Sequence, residues 1–291
     1  MALTKKITIA DLGRMKRAGQ KFAMLTCYDA NMAHWQQEAG VETMLVGDSL
    51  GMTVLGEGDT LGVTMDLSVA LTAAVRRGAP LCYLVADMPF LSAVTPELAI
   101  TNAGRYLTEA HADVVKLEVD RRHVELVAAM SAASIPVMPH LGFTPQRTAQ
   151  LGGPKVQGKS AATAIELIET ARRMEQAGAV ALLLEAVPPE PARIIAQRLS
   201  IPVIGCGAGA GCDGFVMVVH DMLGLTMGRA PRFVKKYADL GPAEQSAFAA
   251  YLADVHNSAY PAPEHDYPMD PSELAELKAW VDKDGRSDSS Q

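Results

Sequence analysis

Short apolar runs recur along most of the chain, each followed by a helical pattern, and this repetition limits the possible folds more than any other feature. From Lys21 to about Lys235 the runs are FAMLTC (22–27), TMLVGD (43–48), LCYLVAD (81–87), DVVKLE (113–118), IPVMPH (135–140), VALLLE (180–185) and IPVIGC (201–206). Most are continuously apolar instead of alternating, the pattern of strands covered on both faces. Amphipathic stretches at 66–77, 96–110, 121–133, 160–177 and 189–199 separate them. Thr95-Pro96-Glu97 reads as a helix start, with an N-cap followed by proline at the first helical position. Strand and helix in alternation predict an α/β fold with a parallel sheet. RFVKKY (232–237) is the candidate eighth strand, which would close a (β/α)8 TIM barrel; an open doubly wound sheet is the alternative. At 291 residues, 49% hydrophobic but only 5% aromatic, the chain suits close helix-on-sheet packing better than a β sandwich.

Two segments break the rhythm. Residues 51–64 form a Gly-rich loop after the second run, and residues 141–159 a longer one after the fifth; loops of that length in a compact domain are usually functional lids or disordered. Beyond Tyr237 helices are expected near 242–257 and 271–283, packed on the barrel or on a neighbouring subunit. The polar tail GRSDSSQ is expected to be disordered. The expected organisation is one barrel domain over 1–265, then a C-terminal helix and tail over 266–291.

Charge and cysteine usage exclude several classes. A net charge of -7 without a basic tract leaves no footprint for nucleic acid or an anionic membrane. MALTKKITIADLGRMKR lacks a signal-peptide core, and no apolar run is long enough to span a bilayer. Cys27, Cys82, Cys206 and Cys212 are too few and scattered for a disulfide framework, and the last two lack zinc-ligand spacing. A reducing cytoplasm is the expected setting.

Polar residues cluster at the ends of the apolar runs: Asp48, Asp87, Lys116 with Glu118, His140 and Glu185. In a parallel barrel all these ends open on one face, where active sites are built. Asp48 or Asp87 alone reads equally well as a helix N-cap, but Glu is a poor cap, and the set as a whole favours a site. Asp48, Asp87 and Glu118 left alone would repel and protonate. A hard divalent cation resolves this, and an all-oxygen set points to Mg²⁺ over Zn²⁺. Such an ion chelates a 2-oxo acid and stabilises the charge left when a neighbouring C–H is deprotonated. Lys116 and Ser49 are suited to hold the substrate carboxylate, and Glu185 to act as base. His140 is given a supporting role. Gly209-Ala-Gly211-Cys-Asp-Gly214 matches a dinucleotide fingerprint only weakly, since it comes late and lacks a ribose-binding acid; it reads as a tight strand–helix turn.

LVGDSLGMTVLG, LVADMPF, TAAVRRGAP, VVKLE, PHLGFTPQ, LGGPKVQGK, LLLEAVP, IPVIGCGAG and CDGFVMVVHDMLG, in this order, resemble the 3-methyl-2-oxobutanoate (ketopantoate) hydroxymethyltransferase family from about Lys21 to Tyr260. The resemblance implies a barrel of the phosphoenolpyruvate/pyruvate superfamily and a homo-oligomer, typically a decamer. It implies transfer of a one-carbon unit from 5,10-methylenetetrahydrofolate to 2-oxoisovalerate, giving ketopantoate for pantothenate synthesis through a Mg²⁺-stabilised enolate. By the same resemblance Mg²⁺ falls on Asp48 and Asp87, with Glu118 in or beside its shell. The oxo acid falls on Asp48, Ser49, Asp87 and Lys116, and the general base is Glu185. The chain departs from the family at Val119-Asp120, where Gly-Gly is frequent, and at Pro154, where an aromatic is common. The rival readings are a carbon–carbon lyase or mutase of the same superfamily, whose Lys-Lys-Cys-Gly-His string is missing here, and a non-catalytic barrel, which would leave the acids without a purpose.

Overall fold

A computed structural model of the chain describes residues 2–228 and 230–284. The polar tail 285–291 lies outside the described residues. Two compact units are present, the first ending at Ala238 and the second beginning at Asp239. The second contains the helices Leu240–His256 and Pro271–Asp284.

In the first unit eight parallel strands close into a barrel: β1 (Phe22–Thr26), β2 (Thr43–Val46), β3 (Tyr83–Asp87), β4 (Val114–Glu118), β5 (Val137–Gly142), β6 (Leu182–Glu185), β7 (Val203–Cys206) and β8 (Gly214–Met217). Strand β8 pairs with both β7 and β1, so the sheet is closed and the open alternative is excluded. The expected (β/α)8 class holds, with helices Ala30–Glu38, Met65–Gly78, Pro96–Thr108, Val124–Ala132, Ala161–Gln176 and Pro189–Arg198 between the strands. Thr95 caps its helix as expected, accepting from the Leu98 N–H.

The eighth strand is not where the sequence pattern put it. Residues 232–237 form a turn and irregular chain, and the ring of Phe233 lies against Gly207. Strand β8 comes earlier because residues 207–213 return from β7 without a helix. Gly214 therefore begins a strand, not a helix, which corrects the strand–helix turn expected for the glycine run.

Period-two alternation sorts the strand residues into two layers. Phe22, Met24, Leu45, Tyr83, Val85, Val114, Met138, Leu183, Ile204 and Val216 pack together inside the barrel, over Ile7 and Leu12 of the N-terminal segment. Their neighbours Ala86, Val115, Leu117, Val137, Leu182, Leu184 and Val203 pack outward, against Ala99, Tyr106, Met130 and Met174 of the helices. Apolar residues on both faces explain why the runs read as continuously hydrophobic.

Candidate active site

The inward parity continues upward past the apolar layer. Asp87 follows Val85, Lys116 and Glu118 follow Val114, His140 follows Met138, Glu185 follows Leu183 and Cys206 follows Ile204. Each sits at or near the C-terminal end of its strand, so polar side chains form the top layer of the barrel interior. The pairing register puts Asp87 beside Lys116, Glu118 beside His140, and Glu185 beside Gly142 and Cys206. Asp48 lies two residues beyond β2 and is buried. Neither Asp48 nor Asp87 caps a helix, so the N-cap reading fails for both: the next helices are preceded by Ser49, which makes no side-chain cap, and by Thr95.

Hydrogen bonds join Asp48, Asp87 and Lys116, and Glu118, His140 and Glu185 lie in a row beside them. Asp87 Oδ2 accepts from Lys116 Nζ at 2.6 Å and from the Asp48 backbone N–H at 3.0 Å. Its other oxygen, Oδ1, is buried without a partner, as is Glu118 Oε1. His140 lies between two acids, Nδ1 at 3.8 Å from Glu118 Oε1 and Nε2 at 3.4 Å from Glu185 Oε2, and neither ring nitrogen makes an aligned hydrogen bond. Gly142 is required at the rim. It has φ +95°, and a Cβ there would strike the Glu185 carbonyl, whose oxygen accepts the Phe143 N–H. Ala186 follows Glu185 with φ 47°, a left-handed conformation of the kind found where a site constrains the backbone.

Burial dominates the electrostatics. Desolvation pushes the Asp87 carboxyl up to about 7; the Lys116 ammonium opposes this and the Asp48 charge adds to it. Glu118 is raised well above the carboxylate range by burial, then by Asp48. Burial works against the Lys116 cation, but Asp87, Asp48 and Glu118 outweigh it and keep the group charged. His140 is lowered by burial and by Lys116, which keeps the imidazole neutral.

As they stand, no three His, Cys, Asp or Glu side chains among the described residues are grouped to hold a metal ion. Two carboxylates are enough for Mg²⁺, which usually retains waters and binds through one or two acids plus the substrate. The unpartnered Asp87 Oδ1 and the elevated Asp87 and Glu118 fit a position that lacks positive charge.

Sequence reasoning missed two residues that touch the expected ones. Gln146 reaches back from the loop after β5, and its side-chain amide donates to Asp48 Oδ2 at 2.8 Å. The available signal was Pro145: proline opening a turn leaves the next N–H free, and the Gln146 N–H donates to Glu118 Oε2 at 3.0 Å. Tyr28, two residues past β1, places its hydroxyl 2.8 Å from Ser49 Oγ. Being buried and aromatic, it carried no sequence signal beyond core. The departure Asp120 pairs with Arg122 and with Arg147 of the loop after β5.

A family model described as ketopantoate hydroxymethyltransferase matches residues 6–263. The chain belongs to this family. It is 49% identical over 264 residues to the 3-methyl-2-oxobutanoate hydroxymethyltransferase of Syntrophus aciditrophicus, covering 90% of this chain and 97% of that one. The namesake from Chloroflexus aurantiacus is 47% identical over 270 residues, covering 93% and 96%. Among solved structures, a phosphoenolpyruvate phosphomutase from Streptomyces platensis subsp. rosaceus aligns with TM-score 0.58 at 14% identity, over 97% of this chain and 99% of that one. A 2,3-dimethylmalate lyase aligns with TM-score 0.55 at 16% identity, again over 97% and 99%. At such identities these two attest the barrel alone. Membership of the ketopantoate hydroxymethyltransferase family carries with it hydroxymethyl-transfer activity.

Proposed function

We propose that the chain transfers a hydroxymethyl group from 5,10-methylenetetrahydrofolate to 2-oxoisovalerate, giving ketopantoate for pantothenate synthesis, with Mg²⁺ as cofactor. The observation that carries this reading is the pairing of Asp87 with Lys116 and the Asp48 N–H through one oxygen, while the other oxygen is buried without a partner. Asp48 and Asp87 would hold Mg²⁺, with Glu118 in or beside its shell. Bound there, the ion supplies a Lewis acid for the ketone and carboxylate oxygens of the oxo acid.

The chain's own residues do the rest. Lys116 and Ser49 hold the substrate carboxylate, Ser49 oriented by the Tyr28 hydroxyl. Glu185, with a side chain 21% exposed, takes the C3 proton, and neutral His140 beside it limits where its carboxylate can turn. The electron pair of the broken C–H bond forms the new C–C bond to the folate's methylene carbon; both C–N bonds of that carbon break, water supplies the hydroxyl, and the proton taken by Glu185 and the second proton of the water go to the two nitrogens as tetrahydrofolate leaves. Apart from the small-molecule substrates, the reading includes a homo-oligomer, as a decamer, in a reducing cytoplasm. Four free cysteines support a reducing setting. No described helix is long and apolar enough to cross a membrane.

The test is an assay of the purified chain with 2-oxoisovalerate, methylenetetrahydrofolate and MgCl2. Ketopantoate should form, stop on EDTA and resume on excess Mg²⁺. No ketopantoate with all three present overturns the reaction; full turnover in EDTA overturns the metal.

A further inference from the structure

The loop after β5 is tied down on two sides by adjacent residues. On the site side both N–H donors of the Gln146 side-chain amide are spent, on Asp48 Oδ2 at 2.8 Å and on the Met88 carbonyl at 3.0 Å. The Gln146 backbone N–H holds Glu118 Oε2 at 3.0 Å. One residue therefore touches two of the acids that the proposed chemistry needs. On the far side Arg147 pairs with Asp120 at 2.6 Å, the two side chains being 21% and 25% exposed. Asp120 is itself fixed just after β4: it accepts the Arg122 backbone N–H at 2.9 Å, pairs with the Arg122 side chain at 2.7 Å and meets His123 Nδ1 at 2.9 Å. A flexible glutamine seated this way arrives with its rotamers already restricted, and the entropy of ordering it is met before substrate binds.

We propose that Gln146 is a positioning residue that aims Asp48 and Glu118, and that Asp120, acting through Arg147, seats Gln146. What the acids are aimed for rests on the function proposed above; the tie between the β4 end and the loop does not.

The full chain is compared with Gln146→Met, Asp120→Asn and the double variant. Calorimetric titration with MgCl2 in the presence of 2-oxoisovalerate, without folate, reads the acid cluster. Hydrogen exchange of the 143–159 amides reads the tie, and thermal unfolding reads the fold. Asp120→Asn should speed exchange across the loop. Each single variant should weaken binding roughly ten-fold, the usual consequence of losing one hydrogen bond to a charged group. The double variant should lose less than the product of the two factors, because both act along one chain of contacts. Arg147→Lys should retain more binding than Arg147→Met. Midpoints should move no more than about 3 °C, since these half-buried polar groups lie outside the apolar core.

Unchanged loop exchange in Asp120→Asn overturns the tie. Binding losses that multiply fully, or that merely follow a fall in the unfolding midpoint, overturn the positioning role. If the wild-type chain itself binds no Mg²⁺ with the oxo acid, the proposed function fails on that result, and the exchange measurement still decides whether Asp120 seats the loop.

Discussion

Glu185 closes β6 with Oε2 3.4 Å from His140 Nε2 and its side chain 21% exposed, so it is reachable from the mouth while His140 is not. Glu185→Gln should keep oxo acid and metal binding yet lose folate-independent exchange of the C3 hydrogen with deuterium, by roughly 10²–10⁴ in rate for a lost general base. Undiminished exchange, followed by NMR, removes Glu185 from that role. Lys116 poses a different problem, since it is the cation paired with buried Asp87. In Lys116→Met without metal, Asp87 and Asp48 face each other with no cation between them, and breaking such a buried pair costs roughly 3–5 kcal/mol. The loss should be larger at pH 8 than at pH 6, because the Asp87 carboxyl, raised to about 7 even with Lys116 present, escapes the cost by taking a proton. Urea unfolding at the two pH values checks this, and equal losses refute it. The places of these residues at the barrel mouth were legible in sequence because each ends an apolar run; Asp48 and Asp87 read equally well there as helix caps, and only the set as a whole favoured a site. Gln146 was not legible, because its contacts to Asp48 and Glu118 span 98 and 28 residues and depend on how a loop folds back.

Seven strands were legible as continuous apolar runs, with boundaries shifted by one or two residues. The eighth was missed for an identifiable reason. Strand β8 has four residues, starts at a glycine and follows β7 with no helix between, so it breaks the strand–helix rhythm that located the others. What fixes β8 is close packing. Gly214 pairs with Phe22 of β1, and a Cβ on Gly214 would run into the Phe22 ring, which belongs to the barrel interior. Gly214→Ala should therefore destabilise by roughly 1–3 kcal/mol, the usual range for forcing extra volume into a packed core. A second change, Phe22→Leu, should recover part of that loss, although alone it destabilises. Chemical denaturation of the four proteins gives the coupling directly. Additive losses would mean that the glycine is needed for backbone freedom instead of space.

Charge is distributed unequally between the two ends of the barrel, and this is a property of the whole unit. Beneath the strands, Asp213 Oδ2 accepts Lys16 Nζ at 2.7 Å and the Val203 N–H at 2.9 Å, and Asp113 Oδ2 accepts Lys6 Nζ at 2.7 Å and the Leu84 N–H at 2.7 Å. Each of these acids is matched by a cation drawn from the N-terminal segment, and Arg76 adds a second on Asp113. At the mouth, Asp48, Asp87 and Glu118 share Lys116, and His140 is held neutral. An acid whose folded pKa lies above its unfolded value contributes stability below the unfolded value and loses it as pH rises through the folded one. Asp87, raised from 3.8 to about 7, should thus make the metal-free protein less stable between pH 6.5 and 8. His140 acts in the other direction, since its lowered pKa favours the folded state as pH rises; that gain comes as the unfolded imidazole deprotonates around 6.5, so it offsets only the lower part of this window. A cation that binds only the ionised site reverses the loss, contributing about 2.7 kcal/mol at a hundred times its Kd. Millimolar Mg²⁺ should therefore raise the unfolding midpoint at pH 8 and do so less at pH 6.5. In Asp87→Asn both the pH-dependent fall and the Mg²⁺ gain should shrink together, because Asp87 contributes to both; the buried Glu118, also raised, leaves part of the fall in place. A Mg²⁺ shift of equal size at both pH values, or one that survives Asp87→Asn, would place the cation elsewhere.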